Sequence, residues 1–316
     1  MTNTILVAGG AGFIGSNLCK ALLSRGEEVI CVDNLYTSDY GNIRELFNYS
    51  KFHFLKESIL NLKKLENITQ IYNLACPASP IKYQRDPIYT IKTCIDGSIN
   101  LLEFARSEKI KILQASTSEV YGNPTEHPQK ESYCGNVNCI GPRSCYDEGK
   151  RLAETLFFEY KRIFGVDIRV VRIFNTYGPN MSCDDGRVVS NFIVQALKNQ
   201  SITIYGDGTQ TRSFCYIDDL INGMVQVMES EINFVSPINI GNPTEISVKN
   251  LAEIIVELTQ SNSNLVYHNL PVDDPIKRKP DIELIKSLIG WYPKVDLYEG
   301  LKRTIDFFKG KVNSSF

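Results

Sequence analysis

An apolar pentapeptide, Thr4-Ile-Leu-Val-Ala8, runs directly into Gly9-Gly-Ala-Gly12-Phe-Ile-Gly15. Phe13, Ile14, Leu18, Ala21 and Leu22 then recur at helical spacing. This opening leaves few folds open. The continuous apolar run predicts a strand buried on both faces, the glycines a tight turn, and the periodic segment a helix over 12–24. Glu28-Val-Ile-Cys-Val32, Phe52-His-Phe-Leu55, Gln70-Ile-Tyr-Asn-Leu-Ala75, Ile110-Lys-Ile-Leu-Gln114 and Asp167-Ile-Arg-Val-Val-Arg-Ile173 predict five more strands. Helices are expected over 87–107, where Pro87 suits a first-turn position, and over 145–163. Alternating strands and helices make a parallel sheet covered on both faces.

The glycine turn has a chemical meaning of its own. Gly9, Gly12 and Gly15 permit a tight turn and a close backbone approach to a pyrophosphate, and the first helical turn, with Phe13 and Ile14, presents free amides to it. Asp33, ending the second strand, is placed to bind ribose hydroxyls and would repel a 2′-phosphate, and Asn34-Leu-Tyr-Thr37 contains no arginine to hold one. The expected fold is α/β, a Rossmann-like doubly wound parallel sheet, and the expected cofactor is NAD. After about residue 176 the texture changes to loops, short strands and separate helices. The expected division is a cofactor domain over 1–175 and a smaller α/β substrate domain over 176–316, from which a strand can return to the sheet.

Of the 316 residues 43% are hydrophobic and 22% charged, with a net charge of -2, which is ordinary for a globular enzyme and lacks the basic footprint of a nucleic-acid binder. No apolar segment approaches a membrane span, and a cytoplasmic location is expected. Nine dispersed cysteines, an odd number, argue against a disulfide framework. Cys134, Cys139 and Cys145 cluster in one loop, but their spacing fits no common zinc pattern and His53, His127 and His268 are scattered, so no metal is expected.

Two further segments carry chemistry. Tyr146-Asp-Glu-Gly-Lys150 sets a phenol and an ammonium on one helix face, where the cation would favour the phenolate. Ser116-Thr-Ser-Glu-Val-Tyr-Gly122 brings hydroxyls and a carboxylate, Glu119, to a strand end. With the glycine turn, these segments resemble the extended short-chain dehydrogenase/reductase family. Ile140-Gly-Pro-Arg-Ser-Cys-Tyr-Asp-Glu-Gly-Lys-Arg151, Arg172-Ile-Phe-Asn-Thr-Tyr-Gly-Pro179, Asp185-Gly-Arg-Val-Val-Ser-Asn-Phe192, Gln210-Thr-Arg212 and Asp274-Pro-Ile-Lys-Arg-Lys-Pro-Asp281 resemble its UDP-glucuronate decarboxylase branch over nearly the whole chain.

The resemblance implies redox-neutral chemistry on a UDP-uronic acid, UDP-glucuronate to UDP-xylose, through a 4-keto sugar. It implies that Tyr146, activated by Lys150, takes the proton from the carbon-4 hydroxyl, with Thr117 beside it. It places Ser118, Glu119 and Arg278 near the reacting end of the sugar. Leu74, Thr93 and Ser116 join the cofactor contacts, and Ser58 stands where the family usually has an aspartate near adenine. Lys92, Asn100, Asn175, Arg187, Val189, Tyr205, Gln210, Arg212 and Arg278 are the implied substrate contacts. Glu119 could instead serve a structural ion pair, and Arg278 a solvated cluster with Lys277 and Lys279. Cys139 and Cys134 replace a proline and an aromatic residue of the family pattern. They leave UDP-N-acetylglucosaminuronate decarboxylase open as an alternative, and a UDP-uronate 4-epimerase is a further reading. A UDP-apiose synthase fits less well because of Ser118, and an inactive NAD-binding regulator because Tyr146 and Lys150 are both present. The family's habit of pairing through two long helices implies a homodimer.

Overall fold

The computed structural model describes residues 3–269 and 277–313. Asp274, Pro275 and Ile276 of the motif before Lys277 lie outside the described residues. The first half is built from β1 (Thr4–Ala8), α1 (Phe13–Ser24), β2 (Glu28–Val32), β3 (Phe52–Leu55), β4 (Gln70–Asn73), α2 (Pro80–Arg85), α3 (Pro87–Glu108), β5 (Lys111–Thr117), α4 (Ser144–Phe164) and β6 (Ile168–Ile173). The second half adds β7 (Thr176–Tyr177), α5 (Val188–Leu197), β8 (Ile202–Tyr205), β9 (Thr211–Ser213), β10 (Cys215–Tyr216) and α6 (Ile217–Glu229). It continues through β11 (Ile238–Ile240), β12 (Glu245–Ser247), α7 (Val248–Thr259), β13 (Leu265–His268), β14 (Lys277–Arg278), α8 (Glu283–Ile289) and α9 (Leu297–Asn313).

Seven parallel strands form the central sheet in the order β11-β6-β5-β4-β1-β2-β3. The order reverses between β1 and β4, and a crevice opens there beyond the carboxyl ends of the strands. Successive side chains of a strand point to opposite faces. Val7 packs with Leu18 and Leu22 of α1 and Leu220 of α6 on one face, while Leu6 packs with Leu101 of α3 and Phe157 of α4 on the other. Burying a side chain such as Leu101 or Phe157 contributes about 1.5–3 kcal/mol, which is why these helices lie where they do.

The helix ends follow local chemistry. Asp86 caps α3 by accepting from the Tyr89 amide at 2.9 Å, with Pro87 in the first turn, and Gly165 ends α4 at φ +67°. β4 stops two residues earlier than its apolar run suggests, and β5 runs to Thr117 rather than Gln114. The short α2 and the 3₁₀ turns at 40–48 had no periodic signal. β11 joins the sheet beside β6, pairing Ile238 with Val171 and Ile240 with Ile173. β9 pairs with β12 and β14, which sets Arg212 opposite Arg278.

Candidate active site

The glycine turn leaves no room for side chains where the chain doubles back. A Cβ on Gly9, at φ +77°, would meet the backbone of Leu74 and Ala75 at 2.8 Å, and one on Gly15 would meet the Gly9 carbonyl oxygen at 2.1 Å. Gly12, the α1 N-cap, supplies no side-chain cap, so the amides of the first turn, at Phe13 and Ile14, are left to a ligand. Asp33 is nearly buried, accepting from the Ala11 amide at 3.0 Å, the Leu35 amide at 2.8 Å and the Ser38 hydroxyl at 2.6 Å. Gly9, Gly12, Asp33, Asn34, Ser58, Leu74 and Thr93 line one cleft. A glycine cradle that any Cβ would fill, a dipole end without a cap and a carboxylate at the tip of β2 fit a dinucleotide with free ribose hydroxyls.

Two expected cofactor or substrate contacts are committed elsewhere. The Ser116 hydroxyl donates to Glu154 of α4, which is paired with Arg172 at 2.7 Å, so that side chain ties β5 to α4 and β6. Asn100 donates to the Ile59 and Leu62 carbonyls at 2.7 and 2.9 Å and pins the loop after β3. Lys92 is exposed on α3, while its neighbour Thr93 is buried toward the cleft.

The chemical end lies where β5 meets α4. Tyr146 is buried, hydrogen-bonded to Thr117 and stacked on Tyr83 with ring centroids 5.0 Å apart. Lys150, one helical turn on, donates to the Ala115 carbonyl at 2.9 Å and lies 5.8 Å from the Tyr146 ring centroid. Burial pushes the Tyr146 phenol well above its ordinary value, against the hydrogen bond from Thr117. Burial of the Tyr146 phenol thus works against the phenolate that a neighbouring cation favours.

Glu119 sits just past Thr117, whose hydroxyl oxygen accepts from the Glu119 amide at 3.2 Å. Its carboxylate pairs with Arg143 and, at 3.4 Å, with Arg278. Burial would raise the carboxyl, but the charges of Arg278 and Arg143 win and hold it below the ordinary range, with a smaller contribution from Arg212. Arg278, almost wholly buried, also donates to the Ser118 carbonyl and, at 3.0 Å, to the Gly122 carbonyl. It is thus no solvated surface residue. Arg143 was missed as a site residue, although it lies in the same motif as Tyr146, three residues before it and on the same helical face. Asp147, also missed, is buried with one carboxylate oxygen unpartnered, and burial raises it to about 7.

Arg187 is held by Asp185 and feels the charges of Tyr146 and Glu119, which brings it to the same centre. Arg212 is nearly buried and donates to the Thr211 carbonyl at 2.9 Å. Asn175 is half-buried after β6, Gln210 donates to the carbonyl of exposed Tyr205 at the rim, and Val189 is buried in the core of α5. Cys134 and Cys139 are exposed while Cys145 is buried, and among the described residues no group of three or more His, Cys, Asp or Glu could hold a metal.

Known proteins resemble this chain over most of its length. UDP-glucuronic acid decarboxylase 1 of Arabidopsis thaliana is 49% identical over 308 residues, covering 98% of this chain and 70% of that protein. UDP-glucuronic acid decarboxylase 5 of the same plant is 51% identical, covering 94% and 86%. UDP-glucuronic acid decarboxylase 1 of Xenopus tropicalis is 48% identical, covering 96% and 72%. Among solved structures, the UDP-glucuronic acid 4-epimerase of Bacillus cereus, in complex with UDP-glucuronic acid and NAD, superposes with a TM-score of 0.88 at 31% identity, covering 98% and 99%. Residues 5–241 match the NAD dependent epimerase/dehydratase family, and the chain belongs to that family.

Proposed function

We propose that this protein is an NAD-dependent decarboxylase of UDP-glucuronate that yields UDP-xylose. Bound in the glycine cradle, NAD would accept the hydride of sugar carbon 4 and later return it, and the charge of its oxidised ring would favour the Tyr146 phenolate. Tyr146 takes the proton of the carbon-4 hydroxyl, and Lys150, fixed by Ala115, holds a positive charge one turn away. With carbon 4 a ketone, the sugar carboxylate lies β to a carbonyl, so the bond to carbon 5 breaks, carbon dioxide leaves and the electron pair rests on an enolate. Tyr146 and Thr117 are placed to donate to that oxygen. A proton then returns to carbon 5, and Glu119 is placed to orient the donor water.

One observation carries the choice of decarboxylation: Glu119, ionised and clamped between Arg143 and Arg278 immediately after the catalytic hydroxyl. The near full-length likeness to UDP-glucuronic acid decarboxylases, at 48–51% identity against 31% for the epimerase, supports it. Arg187, Arg212 and Asn175 would receive the diphosphate, Tyr205 and Gln210 the uridine side. On this reading residues 1–175 serve mainly the cofactor and 176–316 mainly the nucleotide sugar. Ile88 of α3 and Leu152 and Ile163 of α4 are exposed, an apolar surface that suits a homodimer through these helices. The cytoplasmic expectation stands with this reading; among the described residues no helix is long and apolar enough to cross a membrane.

The test is incubation with UDP-glucuronate, UDP-N-acetylglucosaminuronate and UDP-galacturonate, with carbon dioxide and product mass followed. Release of carbon dioxide from UDP-glucuronate, slowed about 10³-fold by Tyr146→Phe, is expected. An epimerised product of unchanged mass would overturn the reading.

A further inference from the structure

The catalytic wedge holds a pair of thiols with no part in the mechanism above. The Cys76 and Cys94 sulfurs are 3.3 Å apart. Cys76 follows β4 and lines the cofactor cleft beside Leu74 and Ala75, whereas Cys94 is buried on the inner face of α3. Gly149 of α4, adjacent to Lys150, closes the wedge, since a Cβ there would meet the Cys94 Cβ and Sγ at 3.2 Å. Other thiols lack this combination. Cys19, Cys31 and Cys215 are fully buried, Cys134, Cys139 and Cys183 are exposed, and the Cys145 thiol donates to the Tyr83 carbonyl at 3.7 Å.

We propose that Cys76 and Cys94 form a reversible disulfide that slows turnover, making the site a peroxide-sensitive one. Closing the pair from 3.3 Å to a bond of about 2.05 Å asks for a shift of roughly 1 Å. Cys76 is the accessible member. Hydrogen peroxide converts its thiol to a sulfenic acid and is reduced to water, as the O–O bond breaks and an S–O bond forms. The Cys94 thiolate then attacks the Cys76 sulfur, the S–O bond breaks, and the departing hydroxide takes a proton to become a second water. Two thiols are oxidised by two electrons and one peroxide is reduced. Burial and the hydrogen bond shared with Cys94 raise the Cys76 thiol, while that bond and the Lys150 ammonium favour the Cys94 thiolate, which suits the attacking role.

The consequence follows from packing. Leu74 and Ala75 form the wall against which the Gly9 turn closes, with no space for even one added carbon. Drawing Cys76 toward α3 moves that wall. A displacement of this size beside a reacting centre costs about tenfold to a hundredfold in rate. The loss of activity rests on the decarboxylase reading, whereas the cross-link does not.

The experiment treats the NAD-loaded protein with hydrogen peroxide and follows both intact mass and a non-reducing peptide map. Loss of two hydrogens and a single Cys76–Cys94 linked peptide are expected. Carbon dioxide release should fall at least about tenfold and recover with dithiothreitol. Cys94→Ala and Cys94→Ser should keep basal activity and resist peroxide. A map showing Cys19–Cys31 or a Cys145 linkage in place of Cys76–Cys94, or no linkage while exposed cysteines oxidise, overturns the proposal. So does equal inactivation of both Cys94 variants. A cross-link with no carbon dioxide release before treatment would instead count against the decarboxylase reading.

Discussion

Replacing Glu119 with glutamine keeps the shape of the side chain and removes the charge on which Arg278 and Arg143 converge. At 3.4 Å and an effective dielectric near 20, Arg278 and the carboxylate attract by about 5 kcal/mol before desolvation. Burial of Glu119 offsets much of that while the pair is intact. In the variant Arg278 stays buried without its counter-charge, a change that costs about 3–5 kcal/mol for a fully buried pair. The Glu119 side chain is 19% exposed, so a smaller cost of roughly 2–3 kcal/mol is appropriate. For a chain of this size that corresponds to a fall in Tm of roughly 3–5 °C near neutral pH. The carboxyl is held below its ordinary range, so its contribution is complete above the unfolded value of about 4.3 and is lost as pH falls through the folded value. Thermal scans of both proteins at steps from about pH 7 down to about pH 2 should show a constant gap above the unfolded value of about 4.3 that closes below it. Carbon dioxide release should fall about 10²-fold in the variant. Equal Tm near neutrality, or a gap that widens in acid, would refute the clamp.

Gly15→Ala places a Cβ 2.1 Å from the Gly9 carbonyl oxygen, so NAD binding measured by calorimetry should be lost along with some thermal stability. Asp147 is raised to about 7 by burial, so the folded protein holds a proton that the unfolded chain releases near 3.9, and stability falls as pH rises between those values. Asp147→Asn should therefore raise Tm near pH 8 and leave it almost unchanged near pH 4, and a variant that follows the wild-type pH profile would contradict this. Arg187→Ala should raise KM for the nucleotide sugar about tenfold or more with a smaller change in kcat. Sedimentation at micromolar concentration should give a dimer, and a monomer would remove that part of the proposal.

What could be read from the sequence was local. The Gly9–Gly15 turn, the strands flanking it and the Tyr146/Lys150 spacing are all set within a few residues of each other, where periodicity and turn chemistry act. What could not be read depends on which segments meet. Ser116 stands in a motif that points to the cofactor, yet its hydroxyl is taken by Glu154, thirty-eight residues away, which Arg172 holds in turn. Asn100 sits at a helix position that could face the cleft and is drawn instead to the loop at Ile59. Arg143 was visible as part of a motif, but only the approach of Glu119 and Arg278 across the sheet ends gives it a purpose. The charge state of Tyr146 belongs to the same class, since burial is a property of the assembled fold.

The return of β11 to the central sheet has a consequence for how the protein is made. Ile238–Ile240 completes the edge of a sheet whose other strands have all been synthesised by residue 173. α6, from the same late segment, covers one face of that sheet. A ribosome that has just finished β6, with Tyr146 and Lys150 already made, therefore still holds a half-covered sheet with β6 as a bare edge, the kind of surface that pairs with other chains. The nascent protein must extend some sixty-five residues further before that edge is closed, so the oldest part of the chain is completed by one of its younger parts.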